Sequence, residues 1–128
     1  MRKFIKNTEG VPKVKSPISQ AVVVGNHCYI SGQLATDFEG NYVEGTVFEE
    51  AKQAFNNTFL IAKAAGFDIS DIVFIDLAFI DLADIAVINP LYDSLFPEGK
   101  KPARTVYQAA ALPYGGKIKV TAIAIKTI

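Results

Sequence analysis

Ile72-Val73-Phe74-Ile75-Asp76-Leu77-Ala78-Phe79-Ile80 is the stretch on which the fold turns. Its β-branched and aromatic residues favour extended backbone, and it is too apolar for strict in-and-out alternation. A strand covered on both faces is the expectation. The segments on either side must then supply the layers that cover it.

Upstream, Thr46 is placed to cap a helix, with Glu49 three residues on to complete a capping box. Ala51, Ala54, Phe55, Thr58, Phe59, Ala62 and Ala65 follow at helical spacing, and Gly66 is positioned to end the run. Downstream, a second helix is expected from about residue 84 to residue 96, with Pro90 in or near its first turn or kinking it. Farther out, residues 105–111 and 117–126 read as strands joined through the turn formers Leu112-Pro113-Tyr114-Gly115-Gly116. On the N-terminal side, Ala21-Val22-Val23-Val24 and Cys28-Tyr29-Ile30 flank Gly25-Asn26 as a hairpin, and a second turn falls at Glu39-Gly40-Asn41.

The resulting order is strand pair, helix, strand, helix, strand pair. This predicts the α+β class: a two-layer sandwich with a mixed sheet of about six strands and both helices on one face. In the last strand Ile118, Val120, Ala122 and Ala124 share one face and Lys119, Thr121, Ile123 and Ile125 the other, so neither face is wholly polar. One helix layer covers one sheet face. The apolar surplus on the other calls for a second subunit, because 128 residues suffice for a single domain, 1–128, with no further layer.

Lys plus Arg and Asp plus Glu stand at 13 each, so no long-range field draws nucleic acid or anionic lipid. The single cysteine, Cys28, excludes an internal disulfide and fits a reducing compartment. The basic N-terminus lacks an apolar signal core, and no apolar run approaches the roughly 20 residues that span a bilayer. A soluble, cytoplasmic protein is the expectation.

Phosphate-binding glycine loops, Cys-x-x-Cys, His-Glu-x-x-His and Gly-x-Ser-x-Gly are absent from the sequence. His27, the one imidazole, follows a hairpin turn and reads as a surface residue, while Cys28 reads as a small buried hydrophobe. Asp68, Asp71, Asp81 and Asp84 fit helix and strand ends better than any calcium loop. Asp76, inside an apolar strand, needs a partner if buried and charged. The most basic stretch is Lys100-Lys101-Pro102-Ala103-Arg104. Arg104 follows a proline-stiffened turn and opens a strand, where its planar fork suits bidentate capture of a carboxylate.

Ser16-Pro17-Ile18-Ser19-Gln20-Ala21, Tyr29-Ile30-Ser31-Gly32-Gln33, Asn89-Pro90-Leu91-Tyr92, Pro102-Ala103-Arg104-Thr105 and Ala111-Leu112-Pro113 occur in unbroken order within residues 16–126. Together they resemble the Rid family, the reactive intermediate deaminases, also known as YjgF and often labelled L-PSP endoribonuclease-like. The resemblance implies a chorismate-mutase-like fold, a homotrimer whose sheets pack into a central barrel, and ligand clefts between neighbouring subunits. It assigns Arg104 to the substrate carboxylate, the Val106 backbone carbonyl to positioning of the attacking water, and Ser31, Gly32 and Asn89 to the cleft. The activity implied is hydrolysis of 2-iminopropanoate and 2-iminobutanoate to 2-keto acids and ammonia. An iminium carbon is already electrophilic, so no cofactor, metal or covalent nucleophile is called for.

Two positions depart from the family's deaminases. Ile18 stands where they usually carry a tyrosine, and Lys119 where they commonly carry a glutamate. Lys119 in the cleft would replace a water-positioning carboxylate with a cation; the alternative is a lysine facing solvent or the trimer axis. Two other functions are weighed against the deaminase: a non-catalytic small-carboxylate sensor with the same cleft, and an endoribonuclease or translation inhibitor. Neutral charge, a lone histidine and the lack of an aromatic RNA-binding motif argue against the last.

Overall fold

The structure is a computed structural model and describes residues 1–127. Among these residues the strands are β1 (Arg2–Ile5), β2 (Ala21–Val24), β3 (His27–Gln33), β4 (Ile72–Phe79), β5 (Ala103–Gln108) and β6 (Ile118–Ile125). They form one sheet in the order β1-β2-β3-β6-β4-β5. The β4–β5 pair is parallel and the other pairings are antiparallel. Helix α1 (Val47–Ala64) carries the chain from β3 to β4, and α2 (Ile85–Leu95) carries it from β4 to β5. The parallel pair requires such a crossover, because a tight turn can only reverse direction.

The local signals act as their chemistry dictates. Thr46 Oγ1 accepts from the Glu49 amide at 3.2 Å, and the Glu49 carboxylate accepts from the Thr46 amide at 2.9 Å. At the other end of α1, Gly66 takes φ +90°, which a side chain would oppose. Gly25 supplies the positive φ of the β2–β3 hairpin.

Both helices lie on one face. Phe55, Ile61, Ile88 and Phe96 join Ile30, Ile75, Leu77, Phe79, Ile118 and Val120 in a single buried cluster. Strand β6 shows the expected division, with Ile118, Val120, Ala122 and Ala124 buried and Lys119, Thr121, Ile123 and Ile125 half-buried on the opposite face. At one end of that opposite face Leu34, Ala109 and Leu112 close over Ala78, and over the rest no layer covers it among the described residues. Phe4 and Tyr29 lie on it at 64% and 48% exposure.

Several expectations need correction. Residues 105–111 and 117–126 do not form a neighbouring pair: β6 lies between β3 and β4, and β5 flanks β4 on its far side. A long turn after β5 permits this, and β6, apolar on both faces, gains more from a central slot than from an edge. Strand β5 also starts earlier and ends at Gln108, after which Ala109 N donates to Phe79 O and the chain turns away. Strand β1 lies outside the expected strands, since Arg2-Lys3-Phe4-Ile5 is short and half basic; charge of that kind suits an edge strand. Pro90 sits in the second turn of α2, where its ring leaves the exposed Ala86 carbonyl without its helical donor.

One buried polar residue ties the layers together. Asn57, wholly buried on α1, donates to the Leu34 carbonyl at 3.2 Å and the Thr36 carbonyl at 2.9 Å, and accepts from Gln53 at 2.8 Å. It thus fixes the chain leaving β3 against the helix. Asn57→Ala would strand these groups, and a loss of about 1–3 kcal/mol is expected. Urea denaturation at matched protein concentration checks this; an unchanged midpoint would contradict the bracing role.

Candidate functional site

Arg104 is the second residue of β5, an edge strand, in register with Ile75 and therefore on the helix side of the sheet. Its guanidinium lies 4.7 Å from the centroid of the Tyr92 ring, and Nη1 donates to Asn89 Oδ1 at 2.9 Å. Both partners come from α2, so helix and strand together orient the fork. Among the described residues no carboxylate pairs with Arg104. Asp93, on the same surface hollow, is engaged by Lys101 at 2.7 Å. Lys101 also donates to the Asp93 and Phe96 carbonyls, capping the C-terminus of α2. The basic stretch therefore divides: Lys101 serves the fold, and Arg104 retains free N–H donors on a stacked, preorganised plane.

Ser31, Gly32, Ile18 and Lys119 meet elsewhere, in a cavity of about 240 Å³ that also includes Lys13, Lys15 and Tyr114. Pairing between β3 and β6 shifts register between Ile30 and Gln33, and this irregularity bends Ser31 and Gly32 out of the regular ladder. Ser31 Oγ donates to Ser19 O at 2.7 Å, which holds the 16–19 segment and with it Ile18, 41% exposed. A Cβ on Gly32 would lie 2.8 Å from Lys119 Cδ. The missing side chain is what lets the lysine stem lie across β3, so Lys119 points into this cavity.

The candidate residues thus form two groups. Arg104, Asn89 and Val106 are at β5 and α2, while Ser31, Gly32, Ile18 and Lys119 are at β3 and β6. Three interstrand spacings, about 14 Å in all, separate β5 from β3. Arg104 is in register with the core residue Ile75, whereas Lys119 pairs with Ala78 on the opposite face. Within one chain the two groups do not converge.

The family model described as endoribonuclease L-PSP matches residues 8–126. The chain belongs to this L-PSP, or Rid, family. It is 43% identical over 127 residues to a Bos taurus protein named 2-iminobutanoate/2-iminopropanoate deaminase, covering 98% of this chain and 91% of that one. Among solved structures it matches RidA from the Antarctic bacterium Psychrobacter sp. PAMC 21119, with TM-score 0.88, 38% identity and coverage of 97% and 100%. The YjgF gene product of E. coli superposes with TM-score 0.86 at 34% identity, covering 98% of this chain and 99% of that one. No helix of the described residues is long and apolar enough to cross a membrane.

In this L-PSP chain the cavity wall is braced by a residue that sequence reasoning missed. Glu50, on α1, is 1% exposed, and its carboxylate accepts from Tyr42 Oη at 2.6 Å, from the Lys117 amide at 3.0 Å and from Lys117 Nζ at 3.2 Å. Tyr42 stacks on Tyr114, which lines the cavity, and Lys117 immediately precedes β6, the strand that carries Lys119. A Glu one residue past the capping box reads from sequence as solvent-facing helix; its contact with Lys117, 67 residues on, is what reveals the cluster. Of the aspartates, Asp76 is half-buried, not buried, and accepts from Thr105 across the β4–β5 pair. Asp71 accepts from the Asp68 amide at 2.8 Å, Asp68 accepts from the Ser70 hydroxyl, and Asp81 caps Ala83. His27 is half-buried, donating to Asn26 and stacked on Tyr29, and Cys28 is buried, with burial pushing its thiol to about 11.

Burial alone would raise the Glu50 carboxyl, but the hydrogen bonds from Tyr42, the Lys117 and Gly45 amides and the Lys117 ammonium outweigh it and hold it below its ordinary 4.5. A carboxyl depressed in the folded state binds its proton more readily when unfolded. Its contribution is therefore complete above pH 4.5 and is lost as pH falls through the lower folded value. Thermal melts should show the wild type losing stability over that acid range. Glu50→Gln should be less stable at neutral pH and show a shallower acid decline; parallel pH curves would rule out this linkage.

Proposed function

We propose that the chain is a single Rid-like domain that hydrolyses 2-iminopropanoate and 2-iminobutanoate to 2-keto acids and ammonia. The observation that carries this reading is the Arg104 fork, stacked on Tyr92, hydrogen-bonded to Asn89 and without a carboxylate partner among the described residues. Such a plane matches a substrate carboxylate bidentately. The name of the bovine relative supports the same chemistry.

In this reading Arg104 holds the carboxylate and fixes the adjacent C=N carbon. The Val106 carbonyl, on the same edge strand two residues on, accepts a hydrogen bond from water and aims it at that carbon. Water adds to the C=N bond, its proton passes to nitrogen, and the carbinolamine collapses to C=O with loss of ammonia. Ser31, Gly32 and Asn89 shape the space, Ile18 gives it an apolar wall and Lys119 a cation. Two observations support a cleft made by two copies of a homotrimer: the separation of the Arg104 and Ser31–Lys119 groups, and the uncovered face bearing Phe4 and Tyr29. A lone, buried Cys28 suits the reducing cytoplasm.

The direction of Lys119 favours one further reading, a non-catalytic module binding small 2-keto carboxylates, because a cation stands where a water-positioning carboxylate would serve hydrolysis. Ribonuclease chemistry gains no comparable support: the chain's one histidine, His27, sits at the hairpin end of β3 and is engaged by Asn26.

The deciding experiment measures 2-keto acid formation from enzymatically generated 2-aminoacrylate and its imine. Wild type should accelerate it, and Arg104→Ala should lower kcat/KM about 100-fold, as charge-assisted hydrogen bonds worth about 1.5–3 kcal/mol are lost. An inactive wild type that still binds 2-keto acids would replace the deaminase with the binding module.

A further inference from the structure

The cavity beneath Lys119 has an unbalanced charge that hydrolysis of a small apolar imine does not use. Lys13, Lys15 and Lys119 line it, and no Asp or Glu among the described residues does. Lys13 is neutralised by Glu39 at 3.0 Å. Lys15 donates to the uncharged Asn41 amide oxygen at 2.7 Å, and Lys119 has no hydrogen-bond or salt-bridge partner among the described residues. Lys119 and Lys15 therefore line one small cavity that has no carboxylate in its wall among the described residues.

Lys119 is also held in place. A Cβ at Gly32 would lie 2.8 Å from its Cδ, 3.1 Å from its Cγ and 3.2 Å from Thr121 Oγ1, so the stem fills the groove that glycine leaves. Packing of the stem removes rotamer freedom before any ligand arrives, which is what preorganisation of a cation requires. A methyl or ethyl side chain seated here would strip water from the ammonium and return nothing, whereas an anionic side chain would be stabilised.

We propose that the Lys119 cavity is a subsite for a second carboxylate, so that the preferred ligands are 2-imino or 2-keto dicarboxylates of the kind derived from acidic amino acids. This rests on the proposed cleft, in which Arg104 of one copy holds the first carboxylate and Lys119 of the next receives the side-chain carboxylate. Lys15 adds to the field of the subsite, and Ile18 borders the connecting methylenes.

Isothermal titration of the full chain with 2-oxoglutarate and 2-oxobutanoate tests this without depending on turnover. Wild type should bind 2-oxoglutarate at least about tenfold tighter, the scale of one charge-assisted contact, with the preference shrinking as salt rises. Lys119→Gln should bring the two affinities close to parity, and Lys119→Arg, which restores the cation, should keep most of the preference. Equal affinities in wild type, no binding of either acid, or a preference that survives Lys119→Gln would overturn the proposal. Turnover of 2-iminopropanoate is read separately: its absence removes the deaminase and leaves the titration decisive for the subsite.

Discussion

Strand β6 occupies the slot between β3 and β4, and the rest of the molecule is arranged around that insertion. Strands β3 and β4 both run antiparallel to β6, so they are parallel to each other with an empty place between them until the last strand arrives. The completed sheet therefore depends on α1 and the crossover to hold β3 and β4 on either side of the C-terminal segment. Pairing of this kind joins residues far apart in sequence and is slow to form. Asn26 shows the closure: its amide donates to Lys126 O, and its carbonyl accepts from Lys126 N, 100 residues away.

The same strand links stability to the candidate site. Its alternation sends Ile118, Val120, Ala122 and Ala124 into the core and Lys119 to the other face, so one pleat both anchors the sheet and presents a cation. Glu50 secures the start of β6 through the Lys117 amide and ammonium, and through Tyr42 it steadies the ring of Tyr114. A buried carboxylate with this many donors is costly only if a donor is lost. Its placement couples the helix layer to the cavity wall on the other side of the sheet.

The two candidate clusters differ in how they are held. Arg104 depends on packing between an edge strand and α2, through the Tyr92 ring and the Asn89 amide. Lys119 depends on the absence of an atom, the Cβ of Gly32, at a place where β3 and β6 shift register. An edge strand and an uncovered face are features that a closed monomer ordinarily avoids. Here they lie beside the residues proposed to bind substrate, which is the arrangement an inter-subunit site needs.

Local and periodic features were legible in the sequence. The capping box at Thr46 and Glu49, the α1 stripe through Ala51, Phe55 and Ala62, the Gly25 turn, the strand at Ile72–Phe79, though not cover on both its faces, and the two faces of β6 depend on neighbours a few residues apart. Ordered motifs around Ser31-Gly32, Asn89 and Arg104 likewise carried the family. The tertiary structure alone decided which strands are neighbours, because β6 is equally apolar beside β5 or between β3 and β4 until the long connections are in place. It alone paired Glu50 with Lys117, 67 residues away, and Asn57 with Leu34 and Thr36, 23 and 21 residues away. It also decided where Lys119 points, since that direction follows from a glycine on another strand and a sequence records no contact between them.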